Sequence, residues 1–229
     1  MIDPSRSKNA ESLSHCSTEI PDTWPYNEQH LSRTGLLVVL SGPSGVGKDA
    51  VIAGLESAHF PFTRIVTATT RAIRPGEVEG ESYHFLTTEE FTRWRGNGKF
   101  LEWASYGHAY YGTPLESVDQ ALARGETVLL KIEVQGAAQV RQKVPDAVFI
   151  FLGPGSFEEL AERLRRRGTE SAEAYDRRIQ QAREELAQLP NYDYLVINRH
   201  GGLACAIAQV EAIITAERLR VHQRPIHLR

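Results

Sequence analysis

Residues Gly42 to Lys48 read Gly-Pro-Ser-Gly-Val-Gly-Lys, a spacing of two glycines and a lysine that can do phosphate chemistry. Glycines let successive backbone N–H groups turn inward around phosphate oxygens, and a helix beginning at the lysine adds the positive end of its dipole. The Lys48 ammonium then reaches the β- and γ-phosphates of a nucleoside triphosphate. Gly42, Pro43, Ser44, Gly45, Val46, Gly47 and Lys48 are therefore expected to bind the triphosphate. The next residue in such loops is Ser or Thr, whose hydroxyl ligates Mg²⁺; this chain has Asp49. A carboxylate there repels the triphosphate unless a cation intervenes, so Asp49 is read either as a Mg²⁺ ligand, its charge offset by Lys131, or as the ion-pair partner of Lys131, with the metal then held chiefly by phosphates and water.

A second group could bind an acceptor. Arg71 and Arg74, three apart, lead into Pro75-Gly76, and guanidinium forks suit a phosphate bidentately. Phe100-Leu101-Glu102-Trp103 sets one carboxylate among apolar and aromatic neighbours, with Tyr110-Tyr111-Gly112-Thr113 following. Such a carboxylate accepts two parallel donors, which is what guanine N1–H and N2–H₂ present. Adenine offers an acceptor at N1 and no 2-amino group, and would leave it unpaired. Together the two groups point to phosphoryl transfer from a triphosphate to a small phosphorylated acceptor.

The elements that must hold these residues follow from apolar patterning. Residues 36–40 are an unbroken apolar run, as in a strand buried on both faces, and the apolar runs at 128–132, 147–152 and 194–197 resemble further central strands. Helical patterns lie between them at about 47–57, 114–124, 135–144, 156–167, 172–189 and 202–222. Ser156-x-x-Glu159 and Thr87-x-x-Glu90 read as capping boxes. Strands alternating with helices predict an α/β fold, a parallel sheet covered on both sides. Residues 70–113 break the rhythm with short β-like runs at 82–86, 99–103 and 109–111 around one helix. They are expected to form a small inserted subdomain on a part that can move.

The 229 residues suit one such core. Net charge is −3, so the chain has no overall basic footprint for nucleic acid or acidic lipid. Cys16 and Cys205 are too few for a disulfide framework or a zinc cluster and suit a reducing, cytoplasmic setting. No apolar run approaches the roughly 20 residues of a membrane-spanning helix. Residues 1–34 carry Asp3, Glu11, Glu19, Asp22 and Glu28 and no apolar stretch, and are expected to be a flexible polar tail. Residues 223–229 are read as a C-terminal tail.

The motifs taken in order, GPSGVGK, TTRAIRPGEVEGESYHF, FLEWASYGHAYYGT, KIEVQGA, RLRRRGTES and YLVIN, resemble those of the guanylate kinases over about residues 35–219. The resemblance implies a P-loop NTPase-type fold. Its core would be 35–69, 114–153 and 191–222, its GMP-binding subdomain 70–113 and its helical lid 154–190. It implies ATP bound as its Mg²⁺ complex and GMP as acceptor, with dGMP left open. By resemblance Arg71, Arg74, Tyr83 and Tyr111 hold the GMP phosphate; Thr67, Glu102, Thr113 and Glu133 read guanine; Asn198 lies near the ATP adenine. Arg167 and Arg178 match the two lid arginines and, with Lys48, would be catalytic; Arg165 and Arg166 read as solvated surface. The family usually has Asp where Glu133 stands and often an acid where Lys131 stands, so Asp49 and Lys131 are departures near the metal. Asp after the loop lysine also suits kinases of sugar phosphates such as a ribose bisphosphate. A further alternative is a non-catalytic relative that binds phosphopeptides. Retention of Arg71, Arg74, Tyr83, Glu102 and Thr113 weighs against the first, and of Lys48, Arg167 and Arg178 against the second.

Overall fold

The computed structural model describes residues 34–167, 172–222, 224 and 226. Expectations for residues 1–33 lie outside them, as does the side chain of Arg167. The first strand, β1 (Leu36–Ser41), is buried along its whole length. Its side chains alternate between two cores. Leu36, Val38 and Leu40 pack with Val51, Ile52 and Leu55 of α1 (Lys48–Ser57) and with Ala206, Val210 and Ile214 of the last helix. Leu37 and Val39 face the opposite cluster, which holds Val118, Ala121, Ala137 and Val140. A strand covered on both faces favours apolar residues throughout, which is why Leu36 to Leu40 run without alternation before the buried Ser41. Each buried Leu or Val contributes about 1.5–3 kcal/mol of transfer free energy.

After α1 come two short strands, β2 (Ala68–Thr69) and β3 (His84–Phe85), then α2 (Thr88–Gly96), β4 (Phe100–Tyr106) and β5 (Ala109–Pro114). The chain continues through α3 (Leu115–Ala123), β6 (Thr127–Lys131), α4 (Val134–Lys143) and β7 (Val148–Pro154). Helices α5 (Phe157–Arg167) and α6 (Ala172–Leu186), β8 (Tyr194–Asn198) and α7 (Leu203–Arg218) complete it. Strands β6-β1-β7-β8 form an all-parallel sheet. Because β1 lies between β6 and β7, the loop leaving its carboxyl end opens into the crevice where such sheets bind ligands. A second sheet, β3-β2-β5-β4, is antiparallel except for the β2–β3 pair.

The second sheet has its own small core, in which Phe91 stacks on Phe100 with centroids 4.5 Å apart. Both halves of the Thr87–Glu90 capping box are made. The sheet docks on α4 through Gln139, whose Oε1 accepts from Trp103 N (3.1 Å) and whose Nε2 donates to Trp103 O (2.7 Å). Lys143 Nζ donates to Phe100 O and Leu101 O. The side chain of Glu102 is thus carried on a strand clamped on either side.

Several boundaries differ from expectation. The second sheet begins at Ala68, ahead of residue 70, because β2 gains its identity only by pairing with β3 and β5. Helix α6 stops at Leu186 and a 3₁₀ turn spans Leu189–Asn191, since Pro190 has no N–H to continue the helical ladder to Leu186 O. Helix α7 ends at Arg218. Beyond it Arg224 returns to the buried Glu217, with Nε 3.2 Å from Oε2, and Ile226 packs on the second core cluster. Those two residues are therefore not tail-like. The Ser156–Glu159 box is half made: Glu159 N donates to Ser156 Oγ at 3.2 Å, while the Glu159 carboxylate is engaged by Arg163.

Candidate active site

Two glycines give the Gly42–Lys48 loop its course. Gly42 has φ 146°, and a Cβ there would stand 2.2 Å from Leu152 O. Gly47, the N-cap of α1, has φ 105°, and a Cβ would stand 2.5 Å from Asn198 Nδ2. Side chains are thus barred both by backbone conformation and by space. Asn198 is buried, and its Nδ2 donates to Val46 O (2.8 Å). Expected near the adenine, its side chain braces the loop from below. Arg163 joins it, with Nη1 3.0 Å from Val46 O and Nη2 2.9 Å from Asn198 O. Arg165 and Arg166 point outward to Glu162, as surface residues do.

Lys48 is only 8% exposed. Its Nζ donates to Gly42 O (2.6 Å), Pro43 O (3.2 Å) and Glu133 Oε2 (3.0 Å). Glu133, expected at the guanine, therefore partners the loop lysine. Beside it Lys131 Nζ donates to Asp49 Oδ1, the ion pair that is one of the two arrangements expected of these unusual residues. Two ion pairs thus lie next to each other at the end of β6, where the strand register sets Lys131 opposite Leu40, two residues before the loop.

These groups open into a cavity of about 890 Å³. Lys48, Asp49, Lys131 and Glu133 line it at the loop; Thr67, Tyr83, Glu102, Tyr111 and Thr113 line it from the second sheet. Glu102 is 5% exposed, and its Oε1 accepts the Thr113 hydroxyl at 2.6 Å. Burial pushes its carboxyl above the usual range, against the Thr113 bond and the charge of Lys143. Gly136, in α4, makes room for this carboxylate: a Cβ there would stand 2.6 Å from Glu102 Oε2. Tyr83 and Tyr111 meet edge to face at 6.1 Å.

The arginine pair is organised around a carboxylate. Arg71 is gripped bidentately by Glu77, at 2.9 and 2.7 Å, and lies over the Tyr83 ring at 5.3 Å. The Arg71 bond and that of the Arg74 backbone hold the Glu77 carboxyl down at about 2. Glu77 lines the cavity and organises the 71–77 turn, with Oε2 also accepting Arg74 N at 2.8 Å. The Arg74 side chain is exposed. Of the two lid arginines only Arg178, half-buried on α6, has a described side chain.

The sequence profile of the guanylate kinases matches residues 34–217. The chain belongs to the guanylate kinase family. It is 50% identical over 200 residues to the guanylate kinase of Streptococcus thermophilus, covering 87% of this chain and 95% of that protein. It is 49% identical over 197 residues to that of Lactococcus lactis, covering 85% and 95%. The crystal structure of guanylate kinase from Anaplasma phagocytophilum superposes with a TM-score of 0.64 at 30% identity, covering 83% of this chain and 90% of that one. As a family member the chain is a phosphotransferase, and its sheet order and helical layers are those of a P-loop kinase fold.

Two site residues escaped the sequence reading, Glu77 and Glu185. Glu185, on α6, is 3% exposed and its Oε2 accepts Ser44 N at 3.2 Å. Glu77 stood in plain sight beside its arginines, in a turn three residues from Arg74. Glu185 had no such signal, lying in a polar stretch of Gln and Glu residues.

Proposed function

We propose that this chain transfers the γ-phosphoryl group of ATP to GMP, giving ADP and GDP. The observation that carries this reading is the shared cavity, with Lys48 at one side and the buried Glu102–Thr113 pair at the other. A guanine N1–H and N2–H₂ would donate to Glu102, and the cost of burying that carboxylate is then offset by two charge-assisted bonds. Tyr83, Tyr111 and the Arg71–Arg74 turn surround the place for the GMP phosphate. An oxygen of that phosphate attacks the γ-phosphorus in line, and the bond from phosphorus to the β–γ bridging oxygen breaks, leaving ADP. Lys48 would exchange its loop carbonyls for phosphate oxygens, and Arg178, with Arg167, would meet charge that develops during transfer.

The residues fit Mg²⁺ as the partner of ATP. Asp49 and Glu133 present oxygen donors beside Lys48, and among the described residues no cluster of three or more acidic, His or Cys side chains could cage a metal alone. That suits an ion held chiefly by phosphates and water, which would supply charge neutralisation when bound. Exposed Cys205 and a nucleotide substrate fit a cytoplasmic enzyme. The test is a coupled assay of ADP formation across all nucleoside monophosphates and ribose phosphates. GMP should be preferred over AMP by at least about 10²-fold in kcat/KM, from a carboxylate left unpaired by adenine. Equal turnover of a ribose phosphate, or none with any acceptor, would remove the reading.

A further inference from the structure

Glu185 is a buried carboxylate that the mechanism above does not use. Its Oε2 accepts the N–H of Ser44, in the middle of the phosphate loop, and its Oε1 accepts Gln181 Nε2 at 2.9 Å. Burial pushes its carboxyl up; the Gln181 and Ser44 bonds and the charge of Lys48 oppose that, while Glu133 reinforces it. Placing a carboxylate here costs folding free energy that an apolar side chain of similar volume would avoid. Its reach instead joins two elements that otherwise share little. Helix α6 packs on α5 through Ala182, Ile179, Tyr175 and Leu186, whereas Ser44 belongs to the loop on the parallel sheet. Residues seven apart on a helix lie on one face, separated by about 10 Å along the axis. Arg178 and Glu185 are so spaced, with Gln181 between them on the same stripe.

We propose that Glu185 is a positioning residue. By accepting the Ser44 N–H it fixes α6 on the phosphate loop, and so sets where Arg178 meets the transferring phosphoryl group. This rests on the ATP-dependent phosphoryl transfer proposed above. Fixing one end of a helix two turns from an arginine defines the height and rotation of that arginine over the loop. Small errors in such placement have large effects on transfer rates.

The test uses the full chain and compares Glu185→Met, Glu185→Gln, Arg178→Ala and the Glu185→Met/Arg178→Ala double variant. Glu185→Met removes the acceptor and the desolvation cost together. It should melt at or above wild type yet lose at least tenfold in kcat, with KM for GMP within about twofold. Glu185→Gln keeps an oxygen acceptor for Ser44 N–H and should stay within about threefold of wild type. The double variant should be no slower than Arg178→Ala, because the two residues act as one unit. Should Glu185→Met not fold, Glu185→Ala takes its place with the same kinetic expectation. Wild-type kcat in the Met or Ala variant, a loss in Glu185→Gln as deep as theirs, or additive losses in the double variant would each overturn the proposal. If wild type itself fails to phosphorylate GMP, the functional reading falls separately. Calorimetric ATP affinity then decides: binding at least tenfold weaker in Glu185→Met but retained in Glu185→Gln supports the tether, and equal affinity in all three sinks it.

Discussion

Asp49 lies in the first turn of α1, where the helix dipole favours a carboxylate, and Lys131 meets it from the end of β6. Their side chains are 78% and 36% exposed, so as a surface pair they are worth about 0–1 kcal/mol to stability. Any larger effect belongs to the triphosphate site, where the loop has gained an acid and the adjoining strand end a lysine. Asp49→Ser leaves Lys131 without this carboxylate close to the bound cation. Lys131→Asp sets two carboxylates around one ion. Each should lower kcat/KM at fixed Mg²⁺ by about tenfold, and the double variant should recover most of the loss. Melting temperature should hardly move in any of them. Simple additivity in the kinetic cycle would show two independent substitutions.

Glu102 supplies a second residue-level expectation, this time in pH. Burial raises its folded-state pKa above the unfolded value, so ionising it in the nucleotide-free protein costs stability as pH rises through that window. Guanine donors favour the ionised form, and GMP affinity should therefore rise with pH across the same window. GMP's own phosphate also titrates, with a second pKa of about 6 for such esters, and this contribution is common to wild type and Glu102→Gln. The difference between their affinity profiles isolates Glu102. Parallel profiles would mean that its charge state is not linked to GMP binding. Glu102 was legible in the sequence because a lone acid among Phe100, Leu101 and Trp103 has few other uses. Glu185 was not, because Gln180, Gln181, Glu184 and Glu185 look alike until a fold buries one of them.

At the scale of elements, the four strands of the parallel sheet were legible as apolar runs; β1 and β7 are buried along their whole length, while β6 ends in exposed Lys131 and β8 leaves Leu195 exposed. Strand β3 lies within the β-like run expected at 82–86, whereas β2, two residues long, leaves no period to read and is created by pairing across the second sheet. The lid helices were visible, but not the roles of their charges. Arg163 lies beside the surface arginines Arg165 and Arg166, and it is helical phase alone that turns it to Val46 O and Asn198 O. Helix α4 shows how an element serves the site. Gly136 is costly in a helix, and replacement by Ala in an open position would add about 1 kcal/mol of stability. Here the new Cβ would stand 2.6 Å from Glu102 Oε2, and the carboxylate must rotate away. Gly136→Ala should therefore change the melting temperature little, since helix propensity and displacement offset each other. KM for GMP should rise at least tenfold with kcat nearly unchanged. An unaltered KM would show that Glu102 can move without cost to binding.

Over the whole molecule, core residues such as Ile52, Leu129 and Leu130 also line the cavity, whereas the anchor at the carboxyl end of α7 lies outside its lining. Glu217 is 4% exposed, far from the cavity residues in the contacts it makes. It accepts Tyr194 OH at 2.5 Å from β8 and the guanidinium groups of Arg220 and Arg224, at 3.3 and 3.2 Å. These bonds and charges hold its carboxyl below the usual range, although burial itself acts the other way. Arg218, next along the chain, donates to Thr34 O and Gly125 O, joining the start of the fold to the turn before β6. Removing Glu217 leaves Tyr194 and Arg224 without their shared acceptor. The expected loss for Glu217→Ala is about 3 kcal/mol, at the low end for breaking a buried pair because the arginines retain some contact with water. For a domain of this size that is a fall of roughly 6–12 °C in melting temperature. Glu217→Gln keeps an acceptor for the tyrosine and should lose about half as much. Because the contacts of Glu217 involve none of the cavity residues, kcat and both KM values per folded molecule should match wild type at 25 °C. A variant of normal stability but altered KM would join this anchor to the site.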